Sequence, residues 1–254
     1  MKTIAVVQRK GGNGKTTSCL NIARALSLKG KRVLMVDLDD QKNTSSAVNV
    51  TEEAEYTVCD ILVREEADIR KALGKTAWEN VEIVSGSGTL SGAVRELENE
   101  VGNHLVLKEK LLPAETLFDF CLIDTSPSLN ILTVNALCAA DYAFIPLSSK
   151  YFSLVGLEKT VESIHKIQKR LKPELKILGT AFVIYDGRAS LSREVVTKVR
   201  EEYTEIFLEP KVNQNIHIEE AQVMKMSVFD YKKNDRGAVQ YMKLCEELLS
   251  RTEA

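Results

Sequence analysis

The chain has 254 residues, 44% of them apolar, enough to bury one sizeable core. Lysine and arginine number 34 against 36 acidic residues, a formal net charge of −2, which argues against a constitutively basic nucleic-acid binder and leaves room only for a local cationic patch. No apolar run approaches a membrane span, and no Pro/Gly/Ser-rich linker interrupts the chain, so one domain over residues 1–254 is expected.

In chain order, Ile4-Ala5-Val6-Val7 is a short apolar run of the kind found in buried parallel strands. Arg9 to Thr17 then reads R-K-G-G-N-G-K-T-T. The ordinary phosphate-binding loop is G-x-x-x-x-G-K-[S/T], and Arg9 stands where its first glycine should be. The result is a variant loop with an extra lysine, so that Lys10 and Lys15 both converge on one polyphosphate. Cys19, Leu20, Ile22, Ala23, Ala25, Leu26 and Leu28 follow at helical spacing, ending at Gly30 as a C-cap. Strand, glycine loop and helix in succession aim backbone N–H groups at a phosphate.

Arg32 to Asp37 predicts a second strand, continued by Leu38-Asp39-Asp40-Gln41. Asp37 and Asp39 are two apart, hence on one side of an extended chain, at the carboxyl end where open α/β sheets bind ligands. A magnesium–phosphate site needs such carboxylates. Residues 56–75 read as helix, Val81–Val84 as a short strand closed by Ser85-Gly86-Ser87-Gly88, and residues 90–112 as a charged, solvated helix. Phe118 to Asp124 is an apolar strand ending in aspartate, the Walker B arrangement. A strand at 142–146, a helix at 155–171, a strand at 176–183 and a helix at 192–203 come next. A short apolar Ile206-Phe207-Leu208 and a closing helix at 237–251 complete the chain. Strands alternating with helices predict an α/β fold, a doubly wound and mostly parallel sheet with helices on both faces. The five cysteines (Cys19, Cys59, Cys121, Cys138, Cys245) are widely spaced without C-x-x-C, so no zinc or iron–sulfur site is expected and a reduced cytosol is the simple reading. Nothing in the first residues reads as a signal peptide.

With the lysine-first loop, Asp37-Leu38-Asp39-Asp40-Gln41 and the Walker B strand together, the chain resembles the ParA/Soj branch of the ParA–MinD ATPases, P-loop proteins with a deviant Walker A motif. Asp37 to Gln41 is similar to that family's D-x-D-P-Q segment. Asp124-Thr125-Ser126-Pro127-Ser128-Leu129 looks like its second switch, and Tyr151-Phe152-Ser153-Leu154-Val155-Gly156-Leu157 resembles its Y-F-A-L-E-G-L stretch. Tyr185-Asp186-Gly187-Arg188 and Glu220-Ala221 match a D-x-R turn and a late E-A pair. The resemblance implies Mg²⁺ and ATP as cofactors. Gly11, Gly12, Asn13, Gly14, Lys15, Thr16 and Thr17 would wrap the phosphates, with Lys15 on the β- and γ-phosphates. Thr16, Asp39 and Asp124 would surround the magnesium, Asp39 also orienting the attacking water. Lys10 would reach across a dimer interface to the partner's nucleotide, as a cation supplied in trans. Such positioning and charge neutralisation is what phosphoryl transfer demands.

Several positions depart from the pattern. Asp40 replaces a proline, Asn13 a small apolar residue and Ser126 the first proline of the second switch; Ser148-Ser149-Lys150 replaces Q-x-E, and Lys211-Val212-Asn213 a proline–arginine segment.

The resemblance further implies an ATP-dependent homodimer, non-specific DNA binding, and a ParB-like partner that stimulates hydrolysis to position plasmid, chromosome or other cargo. The expected localisation is cytoplasmic and nucleoid-associated, without stable membrane association. Candidate DNA contacts are Arg188, Arg193, Lys198, Arg200, Lys211, Lys225, Lys232, Lys233 and Arg236, intermixed with Glu194, Glu201, Glu202, Glu219 and Glu220. Contacts to phosphate would make binding steeply salt-dependent. Two rivals stand beside this reading. One is a MinD-like membrane-associated ATPase using the stripe Val239, Met242, Cys245, Leu248 and Leu249, against which the acidic Glu246, Glu247 and Glu253 speak. The other is a nucleotide switch with little turnover.

Overall fold

The computed structural model describes residues 1–99 and 101–253. The chain starts on β1 (Lys2–Val6), passes through the glycine loop into α1 (Lys15–Leu28), and returns as β2 (Val33–Leu38). The segment α2 (Asn43–Ala47), β3 (Val50–Glu52), α3 (Val58–Val63), β4 (Gly74–Thr76) and β5 (Val81–Val84) follows. Then come α4 (Leu90–Leu97), α5 (Val106–Leu111), β6 (Phe120–Thr125), α6 (Ile131–Ala139), β7 (Tyr142–Ser148), α7 (Phe152–Arg170) and β8 (Lys176–Ile184). The last third is helical: α8 (Ser190–Glu202), α9 (Ile216–Val223), α10 (Val228–Tyr231) and α11 (Arg236–Glu253).

The sheet has eight strands in the order β3-β4-β5-β2-β6-β1-β7-β8. From β5 to β8 every pairing is parallel; β3 and β4 add an antiparallel edge. The predicted doubly wound, mostly parallel α/β architecture is therefore what the chain adopts. Alternation along β1 divides its side chains between two cores, Ala5 and Val7 on one face, Ile4 and Val6 on the other. Leu20, Ile22 and Leu26 of α1 are buried beside Tyr241, Leu244 and Leu248 of α11 in the second core. Each such side chain contributes about 1.5–3 kcal/mol of burial free energy.

Register brings three strand ends together: Asp124 of β6 lies opposite Val6 of β1 on one side and Asp37 of β2 on the other. The glycine loop leaves β1 at this point. Gly14 has φ 77°, and a Cβ there would sit 2.8 Å from Val183 Cγ2 of β8, so both the conformation and the close packing require glycine.

Two predicted helices are corrected. Residues 56–75 are not one helix: α3 is started by a capping box between Thr57 and Asp60, then a single 3₁₀ turn, Ile69–Ala72, leads into β4. The Lys110 ammonium donates to the carbonyls of Arg64, Glu65 and Ala67, holding this stretch out of helical geometry. Residues 90–112 are likewise split into α4 and α5, with Gly102 at φ 73° between them. α2, β3, α9 and α10 carry no expectation from the sequence.

Candidate functional site

The loop after β1 and the first turn of α1 wall one side of a cavity of about 590 Å³. Gly11, Gly12, Gly14, Lys15, Thr16 and Thr17 line it; Asp39, Gln41, Asn43, Pro127, Gln222 and Val223 contribute to the remaining lining. The absence of side chains at the three glycines leaves backbone N–H groups and the N-terminal dipole of a 14-residue helix directed at whatever enters. Lys15 is 7% exposed. Burial lowers its ammonium pKa, and Asp124 and Asp39 work against that shift.

Beneath the cavity lies a buried carboxylate pair. Asp124 accepts the Thr16 and Thr44 hydroxyls on the same oxygen, each at 2.7 Å. Its other oxygen, Oδ1, is buried and has no partner among the described residues. Desolvation, helped by neighbouring Asp37, pushes the Asp124 carboxyl up to about 7, against the two hydroxyls and Lys15. Burial likewise raises Asp37, which accepts the Ser45 backbone N–H at 2.8 Å and its hydroxyl at 2.7 Å. Strand β2 ends at Leu38, so the two-residue period stops short of Asp39. Asp37 anchors the following segment, whereas Asp39 faces the cavity and accepts the Gln41 N–H at 3.0 Å and the Asn43 amide at 3.3 Å.

Two loop residues do not line the cavity. Asn13 is 1% exposed and spends its amide on the protein itself: Nδ2 donates to the Lys10 carbonyl, and Oδ1 accepts from Ser148 and Ser153. Lys10 stands with its ammonium 4.7 Å from the centroid of the Phe152 ring. Three residues absent from the sequence-based site complete it: Thr44, Asn43 and Gln222, whose Nε2 donates to Thr17 Oγ1 at 3.1 Å. The hydroxyl-rich run after Asp39 could have flagged the first two; nothing local marks Gln222.

The basic candidates do not form one uniform stripe. Arg188 pairs with Asp186, Lys198 with Glu202, and both Arg200 and Lys211 with Glu209. Arg188 and Arg236 share a polar cavity with Asn213 and Asn215, while Lys233 and Lys225 line two separate grooves. Arg193 donates to the Gly187 carbonyl, and Lys232 shares a hydrogen bond with His217.

No group of three His, Cys, Asp or Glu side chains able to hold a metal occurs among the described residues. Magnesium held through one carboxylate, a hydroxyl and substrate phosphates needs no such cage. No helix among the described residues is long and apolar enough to cross a membrane. The α11 stripe is divided: Cys245 and Leu248 are buried against α1, Met242 and Leu249 are partly buried, and Val239 is 50% exposed.

A family model described as an AAA domain matches residues 1–177. The chain is 38% identical over 250 residues to the chromosome-partitioning ATPase Soj of Treponema pallidum (strain Nichols), covering 98% of each chain. Among solved structures it resembles cobyrinic acid a,c-diamide synthase from Mycobacterium smegmatis with bound ADP and magnesium, with a TM-score of 0.86 and 28% identity over 100% of this chain and 96% of that one. It also resembles the cell division ATPase MinD of Pyrococcus furiosus, with a TM-score of 0.82 and 26% identity over 98% of both chains.

Proposed function

The chain belongs to the ParA–MinD family of P-loop ATPases, and on that premise we propose that it is an ATP-driven partition ATPase of the ParA/Soj type. The observation that carries this reading is the Thr16–Asp124–Thr44 cluster beneath a glycine-walled cavity. The donor set is all oxygen, as magnesium prefers, and the unpartnered Asp124 Oδ1 is a buried acceptor suited to a cation or a proton. Bound magnesium supplies charge neutralisation at the phosphate oxygens. The chain's own residues do the rest. Thr16, which donates its hydroxyl proton to Asp124, would offer its hydroxyl oxygen to the metal. Lys15 and the N–H groups of residues 11–17 hold the phosphates. Asp39, fixed by Gln41 and Asn43, orients a water for attack.

Lys10 lies against Phe152 rather than in its own subunit's cavity, which suits a lysine that serves a second subunit's nucleotide. The nucleotide-loaded dimer then holds DNA without sequence preference, and a ParB-like partner stimulates hydrolysis and release. The test measures ATP affinity, dimerisation and turnover for wild type, Lys15→Ala and Lys10→Ala. Lys15→Ala is expected to lose nucleotide binding. Lys10→Ala is expected to keep it but to lose dimerisation and about 100-fold in turnover, as when one preorganised charge is removed. Wild-type hydrolysis by Lys10→Ala would refute the role in trans. Turnover that stays near zero with DNA and partner present would leave a nucleotide switch instead.

A further inference from the structure

Two of the departures from the family pattern, at positions 13 and 148, meet Ser153 in one buried hydrogen-bonded cluster. We propose that Asn13 is a positioning residue that clasps the phosphate loop, and Lys10 with it, to the end of β7 through Ser148 and to the first turn of α7 through Ser153. Asn13, Ser148 and Ser153 are 1%, 3% and 1% exposed. Asn13 Oδ1 accepts the Ser148 backbone N–H at 3.0 Å, which fixes which way the amide points. The Ser148 and Ser153 hydroxyls lie 3.0 and 2.8 Å from that same oxygen and 2.7 Å from each other. Two hydroxyl protons serve three oxygens, so the cluster satisfies itself without water, and removing the Asn13 amide takes away the acceptor of the buried Ser148 N–H.

The other end of the amide sets Lys10. Asn13 Nδ2 donates to the Lys10 carbonyl at 3.1 Å. From α7, Phe152 puts its ring 4.7 Å from the Lys10 ammonium, and Gly156, one turn on, lets the helix approach so closely that a Cβ there would lie 3.2 Å from Lys10 Cβ. The carbonyl, Cβ and ammonium of Lys10 are thus all referenced to one helix turn. Gly11 and Gly12 carry no side chain that could do this. The clasp makes the aim of Lys10 and the exposed face at Tyr151 and Phe152 (57% and 66% exposed) move as one unit.

The inference rests on the ATPase reading above, and its test separates the two. Asn13→Ala, Ser153→Ala and the double variant are compared with wild type for affinity toward a fluorescent ATP analogue, for ATP turnover, and for amide hydrogen exchange at residues 9–14 and 151–157. Asn13→Ala is expected to keep affinity within about threefold and to lose about tenfold or more in turnover, the split of a residue that acts through another. Exchange should speed up in both segments, and the double variant should be no worse than Asn13→Ala alone, because the two act as one unit. Wild-type turnover in folded Asn13→Ala, a parallel loss of affinity, or faster exchange confined to the loop would each overturn the clasp. Should Asn13→Ala fail to fold, Ser153→Ala carries the same comparison. If wild type itself shows no turnover, the ATPase reading falls and the exchange result alone decides: acceleration in both segments supports the clasp, and anything less overturns it.

Discussion

Asp124 and Asp37 face each other across adjacent parallel strands, both without solvent contact, with Lys15 as the nearby cation. Two carboxylates against one ammonium leave a local excess of negative charge, and in the metal-free chain it is relieved by protons. The Asp124 carboxyl, pushed up to about 7 by burial first and by Asp37 second, stays protonated in the folded chain where the unfolded chain has ionised it. The folded state then binds more protons, so stability falls as pH rises from about 4 to about 7. Metal-free Asp124→Asn should therefore gain in melting temperature on wild type at pH 8 relative to pH 6. Magnesium and nucleotide reverse the sign for wild type, since a metal needs the carboxylate, and their stabilising effect should grow from pH 6 to pH 8. Melting curves with and without Mg-nucleotide check both; an equal difference between the variant and wild type at the two pH values would remove Asp124 as the titrating group. Asp124 was legible because an apolar strand ending in aspartate is a local pattern. Thr44 was harder to read, because its partner lies 80 positions away and the hydroxyl-rich run that holds it does not say which hydroxyl reaches Asp124.

At the scale of elements, the sequence could be read wherever a segment's own period decided its structure, as in β1, α1, β6 and α7. It misled where tertiary contacts decided. The Lys110 ammonium on three carbonyls of the 64–67 stretch, and Asn135 accepting the Leu107 N–H while donating to the Asn103 carbonyl, set chain breaks that propensity cannot show. The segment after Asp39 holds a further device. Lys42, at the N-cap of α2, has φ 51° and ψ 38°, a left-handed conformation that costs a side-chain-bearing residue about 1–2 kcal/mol. Lys42→Gly should be stabilising by about 0.5–1 kcal/mol after the entropy of an added glycine, visible as a rise of roughly 1–4 °C in melting temperature. A fall would mean that the lysine side chain contributes more than its backbone costs. On α11, the C-terminal part of the stripe once open to a membrane reading is core, Leu248 being 3% exposed, whereas Val239 at its start is 50% exposed. Leu248→Ala should cost about 2–5 kcal/mol by chemical denaturation, with liposome co-sedimentation at background before and after. Sedimentation of wild type with anionic vesicles would restore the membrane alternative.

For the molecule as a whole, a net charge of −2 gives no long-range pull toward DNA, so any affinity must come from local cations that are not already neutralised. The ion pairs divide the candidates. Arg188, Lys198, Arg200 and Lys211 have carboxylate partners, whereas Arg193, Lys225, Lys232, Lys233 and Arg236 have none among the described residues. An exposed pair contributes little to stability, yet it reduces a cation's usefulness to a phosphate by holding a competing anion beside it. A surface this sparse is weak in one subunit and gains by being presented twice on a dimer. The nucleotide-loaded Asp39→Ala protein, arrested before hydrolysis, should therefore retain plasmid DNA at low salt with a steep dependence on ionic strength. Each true phosphate contact contributes about 0.9 to the log–log slope, so a residue present in both subunits contributes about 2. Lys232→Ala with Lys233→Ala should flatten the slope by up to about 4 in total, while Arg200→Ala leaves it unchanged. No retention at low salt would remove DNA from the function, and a slope unmoved by the lysine pair would shift the contact surface to Arg193, Lys225 and Arg236.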